Sequence, residues 1–299
     1  MQIRRLTEDD LPACGRLALS RDWGAESRKW RFLLEVGEAY GIDAPDGDGL
    51  AATNIVTLYG DDHAVISMVL TAERYGRQGM GRALMEHVLA RAGERTVSLH
   101  ATAYGRPLYE RTGFRAVATV VTHKGMFTGQ ASGRTHKADD IEAVVAFDAA
   151  RFGADRSAVL RRMPGFHEQV RVAERDGRMT GFGGAWRNDG TLMIGPVVAD
   201  DQATARDLIA DLAAGSTLPV RLDLDDSRPD LVGLGGRARG APLLHHQRHG
   251  ARRRAARRPV EAVRPPRCRR WADDDRPGGR PDDHDHGLTR QPEHGSVLS

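Results

Sequence analysis

Gly76-Arg77-Gln78-Gly79-Met80-Gly81 stands between an apolar, β-branched run, Ala64 to Leu70, and a stretch in which Met80, Leu84, Val88 and Ala92 recur at helical spacing. Glycines where a helix begins let a ligand come close to the backbone. The N–H groups of a first helical turn have no partner inside the helix, so such a turn can cradle phosphate oxygens. Arg74, Arg77 and Arg82 add positive charge around it. Strand, turn and helix are the elements needed to hold the cradle.

Two familiar phosphate motifs fail residue by residue. A P-loop needs a lysine and a hydroxyl after its last glycine, where Arg82 and Ala83 stand. A dinucleotide fingerprint needs glycine or alanine at the position of Leu84. What remains resembles the acetyl-CoA-binding motif of the GNAT superfamily of N-acyltransferases: Gln or Arg, two residues, Gly, one residue, then Gly or Ala. Gly79 and Gly81 match, while Gly76 stands where the family has Arg or Gln. A second stretch, Arg106-Pro107-Leu108-Tyr109-Glu110-Arg111-Thr112-Gly113-Phe114, resembles the superfamily's Leu-Tyr, three residues, Gly-Phe segment.

The resemblance implies direct acetyl transfer from acetyl-CoA to a primary amine of a small molecule or peptide, without a covalent enzyme intermediate and without a metal. It assigns Gly76, Arg77, Gln78, Gly79, Met80, Gly81 and Arg82 to the coenzyme's diphosphate. It assigns the backbone of Met68, Val69 and Leu70, on a splayed strand, to the pantetheine arm. Tyr109 becomes the acid for the leaving thiolate, a role that a phenol with a pKa near 10 suits. Glu26, Glu73, His100 and Glu110 stand near the cleft in sequence order; none is singled out as base, and water can serve. The alternative is a non-catalytic acyl-CoA-binding or regulatory module, which the atypical Gly76 allows.

The 299 residues suffice for two domains, and a net charge of +3 gives no overall nucleic-acid footprint. Cys14 and Cys268 lie far apart, make no metal spacing and fit a reducing, cytoplasmic compartment. No apolar run approaches a membrane span, and residues 1–11 contain no signal-peptide core. The turn Pro45-Asp46-Gly47-Asp48-Gly49 lacks the remaining ligands of a calcium loop.

In chain order the pattern predicts a strand over 2–6, a helix from Thr7 with Cys14 and Leu17 inward, and an aromatic segment, 21–36, that the resemblance places at the acceptor pocket. A hairpin follows, then the phosphate-loop unit, a strand over 96–101, a short helix over 106–112, and a strand over 114–123 that closes the first sheet. After a polar linker the order repeats: helix, hairpin, strand, helix, strand. The expected fold is α/β, a GNAT-like mixed sheet flanked by helices in two tandem copies. Residues 1–127 form the transferase domain, 128–138 the linker, 139–232 a degenerate copy, and 233–299 a tail.

In the second copy the phosphate loop is replaced by Val198-Ala199-Asp200-Asp201, whose carboxylates would satisfy the helix end and repel a diphosphate, so this half is expected to be structural or to wall the acceptor pocket. The tail is rich in Arg, Pro, Gly, Asp and His and poor in aliphatics, so it is read as disordered or as the product of a shifted reading frame. Its Arg252–Arg270 cluster with Trp271, and its His245-His246 and His284–His286 groups, are read as solvated coil, not as nucleic-acid or metal sites.

Overall fold

The computed structural model describes residues 1–225, 237–246 and 297–298, the last two stretches as backbone strands. The first half begins with β1 (Arg4–Arg5) and a 3-10 turn in which the Thr7 amide donates to Asp10 at 2.9 Å. It continues through α1 (Leu11–Leu19), α2 (Ser27–Val36), β2 (Glu38–Asp43), β3 (Leu50–Tyr59), β4 (His63–Thr71) and α3 (Met80–Ala92). β5 (Thr96–His100), α4 (Arg106–Arg111) and β6 (Arg115–Gly125) complete it. The second half runs β7 (Thr135–Lys137), α5 (Ile141–Phe152), α6 (Ser157–Leu160), α7 (Met163–Phe166), β8 (Gln169–Arg175), β9 (Arg178–Asn188), β10 (Thr191–Ala199), α8 (Gln202–Ala213) and β11 (Val220–Asp225). β12 (Arg237–His246) and β13 (Val297–Leu298) follow.

The expected elements are present, in two mixed α/β copies. Each half contains the same device. β4 runs parallel to β5 only from His63 to Val65, and β10 runs parallel to β11 only from Leu192 to Ile194. Just beyond those points a bulge interrupts the antiparallel partner ladder, between Thr53 and Ile55 in one half and between Ile194 and Val197 in the other.

The strands join in a single sheet, ordered β1-β2-β3-β4-β5-β12-β6-β11-β10-β9-β8-β7. This differs from the sequence expectation at two points. β6 does not close the first sheet: it pairs antiparallel with β11 of the second half, Val121 facing Leu224. A strand also exists beyond Leu231, where none was expected, because β12 sits between β5 and β6 and pairs with both. Each half thus supplies a strand to the other's sheet. Backbone ladders form whatever the side chains, so a strand paired on both edges need not announce itself by periodicity. Cys268, the Arg252–Arg270 cluster, Trp271 and His284–His286 lie outside the described residues.

Helices cover both faces of each half. On the first, α3 packs Met85, Val88 and Leu89 on Ile66, Val97 and Leu99, while Cys14, Leu17 and Trp30 from α1 and α2 bury against Ile55, Met68 and Leu70 on the other face. Cys14 is core, as its helical position predicts, and burial pushes its thiol up to about 12. On the second half, α8 buries Leu208, Ile209 and Leu212 against Ile194, Leu222 and Leu224. α5 starts at Asp140, whose carboxylate accepts from the amides of Glu142 at 2.8 Å and Ala143 at 3.2 Å. Asp140→Ala should therefore cost about 1 kcal/mol and lower Tm by a few degrees in a thermal melt.

Candidate active site

Beyond Val65, β4 parts from β5, so the β5-facing edge of Ile66–Leu70 has no ladder partner among the described residues. At the mouth of this splay the β3–β4 register slips, so Met68 and Val69 together oppose Asn54. Met68 adopts φ 49°, a left-handed conformation that side chains with a Cβ rarely take. A buried hydroxyl holds it there, with Thr53 Oγ1 donating to the Met68 carbonyl at 3.0 Å. The Met68 side chain turns into the core beneath α1 and α2, and Val69 turns to the α3 side. What Met68, Val69 and Leu70 offer the splay is therefore backbone. Sequence reasoning missed Thr53; its signal is a pair of polar residues, Thr53 and Asn54, inside an apolar strand.

The glycine turn follows at the same end. Gly79 is the N-cap of α3 with φ 82°, preceded by Arg77 at φ 62°. The first helical hydrogen bond runs from the Ala83 amide to the Gly79 carbonyl at 2.9 Å, which leaves the amides of Met80, Gly81 and Arg82 to point out of the helix end. A Cβ at Gly79 would meet nothing within 4 Å, so the space over the amides is open, whereas at Gly81 it would touch Leu108 and Thr71 at 3.4 Å. A diphosphate fits this cradle: first-turn amides point out of the helix end, and the nearby carboxylates among the described residues, Glu73 and Glu86, pair with Arg21 and Arg82. Met80 contributes only backbone, because its side chain is buried. The arginines divide. Arg74 is bound to Asp46 and Asp48, and Arg82 to Glu86 at 2.7 Å, so among the described residues Arg77 is the cation of this loop without a carboxylate partner.

Tyr109 lies on α4, whose N-terminal Pro107 and following Gly113 delimit the helix. Its ring packs edge-on to Phe114, 6.1 Å away, and its hydroxyl lies over Gly105, where an added Cβ would come within 3.1 Å of it. Burial disfavours the phenolate and pushes Tyr109 up to about 12. The residue therefore keeps its proton at neutral pH in a dry site on the α3–α4 side of the sheet.

The four carboxylate and imidazole candidates are scattered. Glu73 points outward near Arg21 at 3.7 Å, and Glu110 pairs with Arg106 at 2.6 Å. Glu26 is held between Lys29 at 2.9 Å and Asn188 at 3.1 Å. His100 ends β5 at the splay; the packing around its ring lowers its pKa, partly offset by the field of Asp223 from the second half. His100 thus sits at the end of β5 in the field of both Asp223 and Arg221.

The loop after α1 spans the mouth of the splay. Arg21 lies 3.7 Å from Glu73, just past β4, and 5.3 Å over the ring of Tyr104, just past β5. α2 then meets the second half through Phe32, stacked on Phe166 at 4.3 Å, with Trp186 beyond at 4.7 Å. Arg28 binds Glu168 at 3.1 Å and Arg162 binds Glu35 at 2.7 Å across the same seam.

Residues 51–128 and 144–237 each match a family model described as an acetyltransferase (GNAT) domain, together more than half of the chain. The chain belongs to the GNAT superfamily. It carries two GNAT domains in tandem. It is 28% identical over 229 residues to the uncharacterized N-acetyltransferase YitH of Bacillus subtilis, covering 74% of this chain and 79% of that one. Its fold is shared with a Pyrococcus horikoshii protein assigned as an acetyltransferase (TM-score 0.71, 20% identity, 84% of this chain and 90% of that one). A tandem GNAT protein from the clavulanic acid biosynthesis pathway superposes with a TM-score of 0.57 at 13% identity, over 82% of this chain and 98% of that one.

Membership of this superfamily makes the chain an acyltransferase. No described helix is long and apolar enough to cross a membrane. In the second GNAT domain β10 also parts from β11 beyond Ile194, but there β13 pairs with β10, Val197 opposite Leu298 and Val198 opposite Val297, and the glycine cradle is absent. At the start of α8 Asp201 accepts from the Thr204 amide at 2.7 Å, and Asp200 binds Arg151 at 2.6 Å. The Asp201 carboxylate satisfies that helix end, as the sequence implies.

Proposed function

We propose that the first GNAT domain transfers the acetyl group of acetyl-CoA to a primary amine of a small molecule or peptide. One observation carries the reading: a strand edge that has no ladder partner among the described residues, bulged at Met68–Val69, opens onto the first-turn amides of a glycine-capped helix. A diphosphate on the amides of Met80, Gly81 and Arg82, with Gly76, Arg77, Gln78 and Gly79 shaping the turn, leaves an extended pantetheine arm to follow the backbone of Met68, Val69 and Leu70. When bound, acetyl-CoA supplies the activated acyl group. The chain's residues orient and polarise it, with bulge amides able to donate to the acyl carbonyl oxygen.

The amine nitrogen forms its bond to the acyl carbon as the carbon–sulfur bond breaks. Tyr109 holds a proton for the departing sulfur, and the nitrogen gives up its proton to water or to the neutral His100 ring. The second domain holds no coenzyme and serves as a wall. We assign residues 1–127 to the transferase domain, 128–138 to the linker and 139–232 to the degenerate copy, in a cytoplasmic setting.

The test is thiol release from acetyl-CoA by the full chain across a panel of primary amines, beside calorimetry with CoA. Turnover with at least one amine is expected. Binding without turnover, unchanged in Tyr109→Phe, would favour the non-catalytic module. Calorimetry should give one CoA per chain, and a second equivalent would overturn the assignment of the second domain as coenzyme-free.

A further inference from the structure

Two residues with a Cβ and positive φ, Glu26 and Asp189, meet where the two domains touch, and a third, Asp22, lies in the same loop as Glu26. Asp22 (φ 57°) and Glu26 (φ 47°) lie in the loop between α1 and α2, and Asp189 (φ 41°) is at the tip of the β9–β10 hairpin. Asp and Asn tolerate this conformation in turns, but glutamate rarely takes it. The Glu26 geometry is held from the other domain. Asp189 Oδ2 accepts from the Glu26 amide at 3.3 Å, and Asn188 Nδ2 donates to Glu26 Oε1 at 3.1 Å. Lys29 closes the network on Glu26 Oε2 at 2.9 Å, and the Glu26 side chain is only 12% exposed. Gly24 completes the fit, because a Cβ there would overlap the Asp189 carboxylate.

The contact is matched on the other side. The β3–β4 hairpin of the first domain abuts the α5–α6 loop of the second: a Cβ at Gly60 would lie 3.1 Å from that of Asp155, and Tyr59 meets Phe152 at 5.7 Å. Each domain's hairpin thus buttresses the other's helix–helix loop. Only one of those loops, residues 20–26, stands beside a helix end that can hold an anion. Its far end, Arg21, bridges Glu73 and Tyr104 on the two banks of the β4–β5 splay. Tyr109 and α3 pack on the opposite face of the sheet from α1 and α2, so this loop lies on the other side of the splay from Tyr109.

We infer that Asn188 and Asp189 of the coenzyme-free domain are positioning residues for the acceptor amine: they hold Glu26, and through it the 20–26 loop, in the conformation that shapes the acceptor side of the splay. The inference rests on the acyl-transfer reading for its substrate, but the clamp itself is testable without turnover.

Asp189→Ala, Asn188→Ala and Gly24→Ala are compared with Asp189→Asn, which keeps an acceptor for the Glu26 amide. Hydrogen–deuterium exchange in residues 22–26 should quicken about tenfold or more in the first three and stay near wild type in Asp189→Asn, with α3 unchanged in all. In turnover the first three should raise KM for the amine about tenfold while KM for acetyl-CoA holds. Unchanged exchange in Gly24→Ala and Asp189→Ala overturns the clamp whether or not any amine is acetylated. Faster exchange with an unchanged amine KM overturns its role in acceptor positioning. Absence of turnover in the wild type overturns the acyl-transfer reading alone.

Discussion

Replacing Gly79 with valine should weaken CoA binding at least about 100-fold by calorimetry, with little change in Tm. The residue caps α3 at φ 82°, where a β-branched side chain is strained by upwards of 1 kcal/mol, so the turn relaxes toward negative φ. That rotation swings the amides of Met80 and Gly81 away from their common focus. Each hydrogen bond from such an amide to a charged oxygen is worth about 1.5–3 kcal/mol, so two misdirected donors account for about two powers of ten in Kd. The fold loses little, because a Cβ at Gly79 meets no protein atom within 4 Å and projects into the space the anion needs. Gly81→Ala, whose Cβ only touches the side chains of Leu108 and Thr71, should cost far less. Undiminished affinity in Gly79→Val would refute the cradle.

Tyr109→Phe should lower kcat about 100-fold, leaving KM for acetyl-CoA and Tm close to wild type. General-acid assistance contributes about 10²–10⁴-fold, and a thiolate, whose conjugate acid has a pKa near 8.5, is a good leaving group that needs the low end of that range. The phenyl ring keeps its packing on Phe114 and Gly105, so the loss is chemical. The pH dependence follows from the same burial. With Tyr109 at about 12, the folded state keeps its proton more tightly than an unfolded tyrosine near 10. The stabilisation from burying the neutral phenol is complete below pH 10 and is lost as pH rises toward 12. A pH–kcat profile should accordingly show no alkaline loss owed to Tyr109 below about pH 11. A limb near 9 that vanishes in Tyr109→Phe would sink the raised pKa, and a kcat unchanged in Tyr109→Phe would sink the role as acid.

Much of the first domain is legible because its chemistry is local. The strand, turn and helix around Gly79 are specified by one apolar run, two glycines and one helical stripe. The Asp189-Gly190 turn and the Asp201 cap announce themselves by type, and the cap reappears as a hydrogen bond to Thr204. The bulge is less legible. Thr53 and Asn54 break an apolar pattern, but nothing local says that the Thr53 hydroxyl will fix the Met68 carbonyl fifteen residues on. The charges around the cradle were misjudged for the same reason: Arg74 finds Asp46 and Asp48 across a turn, and only folding brings them together.

By itself the sequence determined the two-copy order, the glycine turn before α3, the tyrosine helix and the aspartate cap of α8, since each depends on contacts within a few residues. Tertiary structure alone decided that β6 and β12 cross into the opposite sheet, that Arg21 spans the splay, and that Asn188 and Asp189 grip Glu26. Those contacts join residues up to 163 positions apart. Such pairings are chosen by complementarity between finished surfaces, and no local periodicity encodes a partner that remote.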